Sequence, residues 1–162
     1  MLLNGVNHVA ILTSDSDRLH RFYREVFDAT VSRDATESPG MRLSFVDIGP
    51  HTQLNVFEIE GNTEATRETP MFRRGRIDHL GLEAMSKEAF DIIRHRLIAS
   101  GASDGFVTDF GPVLSIFFRD PDGLEGEVCV QNPAATPGVY NPPGTPAPGY
   151  DSAIDPTTPG DG

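Results

Sequence analysis

The chain has 162 residues, 38% of them hydrophobic, which is enough to bury a sizeable core and too apolar for a disordered protein. Its formal charge is −11, and its 13 Lys and Arg are scattered without a run, so nucleic acid is not expected as a partner. One cysteine, Cys129, rules out an intrachain disulfide framework. No apolar run approaches the roughly 20 residues a membrane helix needs, and the N-terminus MLLNGVNHVAIL lacks the marks of a signal peptide, so a cytoplasmic protein off the membrane is expected.

The first element is a short strand, NHVAIL (7–12), whose alternation puts His8, Ala10 and Leu12 on one side and Val9 and Ile11 on the other. SDSDRLHRFYREVF follows, opening with Ser and Asp suited to an N-cap and repeating Leu19, Phe22, Tyr23 and Val26 at helical spacing. A weakly marked strand is expected near 29–34. Two clearer strands, MRLSFVDIG and TQLNVFEIE, are joined by a turn containing Gly and Pro. After a linker from about Gly61 to Arg76 the pattern begins again. DHLGLE (78–83) puts His79, Gly81 and Glu83 on one side; SKEAFDIIRHRLIASG carries Ala89, Phe90, Ile93 and Leu97 on one face, with Gly101 placed to end it. A weak strand near 103–108, then VLSIFFRD and EGEVCVQ, complete a second β-α-β-β-β unit.

The last 31 residues, Asn132 to Gly162, hold eight of the 13 prolines, three aspartates and no basic residue. Such a segment is expected to be an extended, solvated tail, with Tyr140, Tyr150 and Ile154 as the residues able to anchor it.

The repeat also places the chemistry. Asn55 stands 47 residues beyond His8, and Glu127 stands 48 beyond His79, so the first and last strands of the halves offer His with Asn, and His with Glu. Two imidazoles and one carboxylate are the ligand set of a facial-triad metal site with open coordination positions, suited to Fe(II) or Mn(II), with Ni(II) or Zn(II) as further candidates. His8, His79 and Glu127 are the expected ligands, and Asn55 is a weak fourth or a hydrogen-bonding group. Glu125 shares the strand parity of Glu127 and reads as a solvated charge at the start of the strand, the alternative being a catalytic carboxylate or one that supports the ligand. Arg119 reads as a partner of Asp120 or Asp122, and Cys129 as a small buried thiol.

NHVAI, FYREVF, DHLGL and FRDPDGLEGEV together resemble the vicinal oxygen chelate superfamily, the glyoxalase, bleomycin-resistance and extradiol-dioxygenase fold, over residues about 5–131. The resemblance implies an α+β fold of two βαβββ modules, about 5–60 and 77–131, whose curved mixed sheets form one open cavity. It also implies a glutamate ligand separated by three residues from an Asp-Pro-Asp-Gly turn, at Glu127. The tail from 132 lies outside it.

Departures from the subfamilies narrow the expected chemistry. Glyoxalase I relatives resemble the chain at His8, His79 and Glu127 but carry Glu at the place of Asn55, and an amide cannot act as a general base. Epimerase relatives need a carboxylate on MRLSFVDIG, whose middle offers none. Fosfomycin-resistance transferases commonly carry Tyr where this chain has Phe117. Type I extradiol dioxygenases resemble the remaining pattern best, yet also use a His and a Tyr beside the substrate, and His51 is the one candidate left for that histidine. Met41, Phe45, Phe57 and Phe117 suggest a partly aromatic lining, and Asn55, Phe57, Ser115 and Phe117 are the expected substrate-pocket residues. The expectation is a divalent-metal enzyme, dioxygenase-like or a lyase or isomerase, acting on a small vicinal-oxygen or aromatic molecule. The alternative is a metal-free drug-binding protein of the bleomycin-resistance type. An isologous homodimer is expected, and the acidic charge disfavours an anionic substrate.

Overall fold

A computed structural model of the chain describes Leu2, residues 4–136, 138–141 and 143–150. Ile154, one of the expected tail anchors, lies outside the described residues. The chain divides into two compact units, residues 1–69 with Asp120–Gly123, and Pro70–Arg119 with the residues from Leu124 onward.

In the first unit Asp15 adopts extended backbone and its side chain accepts the Arg18 N–H, which starts helix α1, Ser16–Phe27. The helix ends at Asp28, whose φ of 54° is left-handed and whose N–H returns to the Arg24 and Tyr23 carbonyls. The strands are β1 (His8–Thr13), β2 (Thr30–Ser38), β3 (Met41–Asp47) and β4 (Gln53–Ile59). Their order across the sheet is β1-β4-β3-β2; β1 runs parallel to β4 and the other pairs are antiparallel. Leu19, Phe22, Tyr23 and Val26, the helical stripe read from sequence, are all buried, as are Val46, Leu54 and Val56 of the sheet. Each such side chain contributes roughly 1.5–3 kcal/mol by leaving water.

The second unit repeats the plan with β5 (Leu80–Glu83), α2 (Lys87–Ala99), β6 (Val107–Asp109), β7 (Val113–Arg119) and β8 (Glu125–Gln131), in the order β5-β8-β7-β6. Ser86 caps α2 by accepting the Ala89 N–H, and Gly101, at φ +72°, follows its end. Phe90 and Leu97 join Val107, Ile116, Phe118, Val128 and Val130 in the core. The fold is thus α+β, two four-stranded mixed sheets each with one helix, and neither sheet is closed into a barrel. Among the described residues no helix is long and apolar enough to cross a membrane.

The tail departs from the sequence reading. Its described part packs on the second unit: Gly138, Tyr140 and Ala147 donate backbone N–H groups to the carbonyls of Phe110, Asp109 and Val107, covering the β6 edge. Ala147 and Tyr150 are buried, and Tyr150 meets Phe90 edge-on at 6.1 Å. Its hydroxyl donates to Asp91 Oδ1 at 2.8 Å, while Lys87 and Arg94 lie over its ring. Composition marked the segment as unable to form helix or sheet, and its described residues form neither. It did not reveal that single backbone bonds and one aromatic anchor fasten such a chain without regular structure.

Candidate metal site

The Asp-Pro-Asp-Gly turn leads into β8, and its second carboxylate is structural. Asp122 is buried within the first unit and accepts from Thr13 Oγ1 at 2.5 Å, the Ser14 N–H at 3.1 Å, Ser14 Oγ at 2.7 Å and Arg18 Nη2 at 2.7 Å. Arg18 is therefore a cation of this turn, while Arg119 reaches Glu125 at 3.2 Å. The turn releases the chain into β8, where Glu127 pairs with Gly81 of β5 and Phe117 of β7.

In the second unit His79 immediately precedes β5, and its Nε2 lies 3.3 Å from Glu127 Oε2. Both side chains are held from behind. His79 Nδ1 is 3.1 Å from Asp78 Oδ2, and Ser115 Oγ donates a short hydrogen bond to Glu127 Oε1. The His79 contact holds the Asp78 carboxyl below its usual range, although burial opposes it. Phe117 stands edge-on to the imidazole, with centroids 5.4 Å apart. Burial pushes the Cys129 thiol up to about 12, and the neighbouring Glu127 charge adds to it, so this sulfur stays protonated.

These donors fit a divalent ion. Two ligands about 2.1 Å from one ion lie roughly 3.0 Å apart in an octahedron and somewhat more in a tetrahedron, and 3.3 Å is such a spacing. Nδ1 turned to a carboxylate and a carboxylate oxygen turned to a hydroxyl are the supports that orient metal ligands. Among the described residues, however, no group of three or more His, Cys, Asp or Glu able to hold a metal ion is found.

The first unit repeats the frame with different chemistry. Asn55 pairs with Ala10 and Phe45 as Glu127 pairs with Gly81 and Phe117, and His8 keeps its place two residues before Ala10. His8 is exposed, and its Nδ1 lies 2.8 Å from Asn7 Oδ1, so each histidine is held by the residue before it. Asn55 Oδ1 is buried without a hydrogen-bond partner. In the second unit Ser115 pins the glutamate; the corresponding place on β3 is Leu43, which has nothing to donate. Phe57 lies opposite Leu43, half-buried, and His51 is exposed in the β3–β4 turn.

The repeat ranked the two glutamates of β8, choosing Glu127 and leaving Glu125 to solvent, and the structure corrects the second half of this. Glu125 is buried and its Oε2 accepts from Arg74 Nη2 at 2.9 Å and Arg119 Nε at 3.2 Å. Parity gives a face, but not what a distant loop lays over it. The sequence reading also missed Asp78 and Asn7, although both carry a signal: each precedes the histidine at the same place of the repeat. The anchoring role of Ser115 needed the β7–β8 register.

The family described as the Glyoxalase/Bleomycin resistance protein/Dioxygenase superfamily matches residues 5–128. No curated protein matches the chain. Among solved structures, the chain is similar to a glyoxylase/bleomycin resistance protein/dioxygenase domain from Frankia sp. EAN1pec, at 23% identity and a TM-score of 0.65 over 82% of this chain and 95% of that one. It is also similar to the fosfomycin resistance protein FosX from Listeria monocytogenes complexed with Mn(II) and sulfate, at 17% identity and a TM-score of 0.59 over 81% and 95%. Lactoylglutathione lyase from Agrobacterium tumefaciens shares 24% identity with a TM-score of 0.52 over 80% and 96%. At these identities the likeness is one of fold.

Proposed function

The chain belongs to the glyoxalase/bleomycin resistance protein/dioxygenase superfamily, and on that footing we propose that it is a divalent-metal enzyme acting on a small molecule with vicinal oxygens. The observation that carries the reading is the convergence of His79 Nε2 and Glu127 Oε2 at 3.3 Å, with the far atom of each side chain already engaged. The proposed ligands are His79, Glu127 and His8, with Asn55 as an optional fourth or as a hydrogen-bonding group. Fe(II) or Mn(II) suits this nitrogen and oxygen set best, and Mn(II) is the ion named in the FosX structure.

A divalent ion held there supplies a Lewis acid to which two adjacent substrate oxygens bind. The rest falls to the chain. Asp78 fixes the proton of His79 on Nδ1 and so presents the Nε2 lone pair. Ser115 holds one oxygen of Glu127 and leaves the other free. Phe117 walls the imidazole with an apolar edge, which keeps water from that side and suits a planar or apolar substrate. Asn55 accepts or donates a hydrogen bond but takes up no proton, so a base-driven isomerisation through that position is disfavoured.

Elemental analysis of protein purified without a histidine tag tests the reading. A stoichiometric divalent metal, or a thermal shift on adding Fe(II), Mn(II), Ni(II) or Zn(II) that His79→Ala abolishes, is expected. Metal at background with no shift for any of these ions overturns it and leaves the metal-free drug-binding alternative. Oxygen uptake by the anaerobically Fe(II)-loaded protein across a catechol panel then separates ring cleavage from non-redox chemistry.

A further inference from the structure

The linker before β5 turns one charged side chain inward. Of residues 72–77, Phe72, Arg73, Gly75, Arg76 and Ile77 are exposed and only Arg74 is not. Its guanidinium side chain is 12% exposed, and Nη2 donates to Glu125 Oε2 at 2.9 Å. Nη1 is buried and has no acceptor. An ion pair built only to fasten a loop would satisfy both ends of the guanidinium, because a buried donor without a partner costs about 1–3 kcal/mol.

Charge points the same way. Arg119 also donates to Glu125 Oε2, so two guanidiniums share this carboxylate oxygen. Arg73 and Arg76 flank Arg74 in the sequence. The place matters as well, since Glu125 precedes Glu127 by two residues and so lies on the same face of β8, about 7 Å along the strand. Gly75, at φ +100° with open space where a side chain would stand, turns the chain directly after Arg74.

We propose that Arg74, supported by Arg119, is the anchor for an oxyanion of the substrate, a carboxylate or phosphate group held toward the start of β8 from the oxygens that the metal binds. The substrate is then an anion, against the expectation from the chain's net charge, because a guanidinium with a buried unpaired donor favours one locally. The inference rests on the metal reading for the position of the chelating oxygens, but not for the anchor itself.

The test titrates Mn(II)-loaded protein with 3,4-dihydroxybenzoate and with catechol, which share vicinal oxygens and differ in the carboxylate. Metal-free protein is titrated with inorganic phosphate and with acetate. The acid is expected to bind at least tenfold tighter than catechol. Arg74→Gln should erase that preference while the affinities for catechol and Mn(II) stay unchanged, and Arg74→Lys, which keeps the charge beside Glu125, should retain part of it. Whichever of phosphate and acetate binds more tightly through Arg74 identifies the oxyanion. Equal affinity for acid and catechol, or a preference that survives Arg74→Gln in protein with the wild-type unfolding midpoint, overturns the proposal. If Mn(II) does not bind, the metal reading fails separately. The anchor then stands if Arg74→Gln weakens the phosphate or acetate titration at least tenfold, and falls if it does not.

Discussion

His79 Nε2 and Glu127 Oε2 lie 3.3 Å apart, and the opposite atom of each side chain is held by a residue of the same unit, Asp78 behind the histidine and Ser115 behind the glutamate. If this pair ligates metal, its supports matter almost as much as the ligands. Ser115→Ala and Asp78→Asn should each weaken Mn(II) binding by about 10–100-fold, with unfolding midpoints near wild type, as supporting partners of metal ligands do. Isothermal titration measures this, and unchanged affinity in both variants would show that the pair is an ordinary hydrogen-bonded contact.

Asp122 collects four donors in the first unit, from Thr13, Ser14 and Arg18, while its side chain is 3% exposed. Asp122→Ala leaves a buried hydroxyl and a backbone N–H without their acceptor. Urea denaturation should show a loss of about 3 kcal/mol, of the size seen when one member of a buried charged network is removed. A loss below about 0.5 kcal/mol, the level of ordinary surface changes, would contradict the assignment.

The fastening of the tail separates two tyrosines. Tyr150→Ala removes a buried ring that touches Phe90, Asp91, Lys87 and Arg94, and should cost about 3 kcal/mol, near the low end for large aromatic truncations. Tyr140, half-exposed at 53%, should lose under about 1 kcal/mol on the same change. Gly111→Ala offers an independent check, since a Cβ there would sit 2.0 Å from the Thr136 carbonyl oxygen at left-handed φ. It should release the tail and speed proteolysis after residue 132.

His20 gives the first unit an acid sensitivity. The imidazole is buried and shares a 2.6 Å hydrogen bond with Ser44 Oγ. Burial holds its pKa below the usual value; Asp34 and Asp17 oppose this, while Arg42 and Arg24 reinforce it. The unfolded imidazole therefore takes a proton more readily than the folded one. Its stabilising share is complete above the unfolded pKa of about 6.5 and is lost as pH falls from there through the lower folded value. Asp17 and Asp34 are held below their usual range chiefly by hydrogen bonds from Arg42, so their share is lost only further down, below about pH 4. His20→Gln should flatten the fall in unfolding free energy between about pH 6.5 and 5; an unchanged slope in denaturation curves would locate the sensitivity elsewhere.

Local rules were enough to read most of this protein. Alternation in NHVAIL and DHLGLE, helical spacing of Leu19, Phe22, Tyr23 and Val26, and caps at Asp15 and Ser86 act within a few residues, so the β-α-β-β-β repeat and the matched places of His8, His79, Asn55 and Glu127 were legible. The weaker strands Thr30–Ser38 and Val107–Asp109 were only located approximately, because β2 has few apolar residues and β6 only three residues, and both are defined by pairing to a neighbour. What tertiary structure alone decided was the partner of each polar group. Glu125 is buried because a loop 51 residues earlier lays Arg74 against it, Asp122 is satisfied from a turn 108 residues away, and Tyr150 is fixed by a helix 59 residues before it. Sequence fixes the face on which a side chain lies, through the strand and helix periods. Whether that face meets water or a distant counter-charge is a long-range property, set when the elements pack.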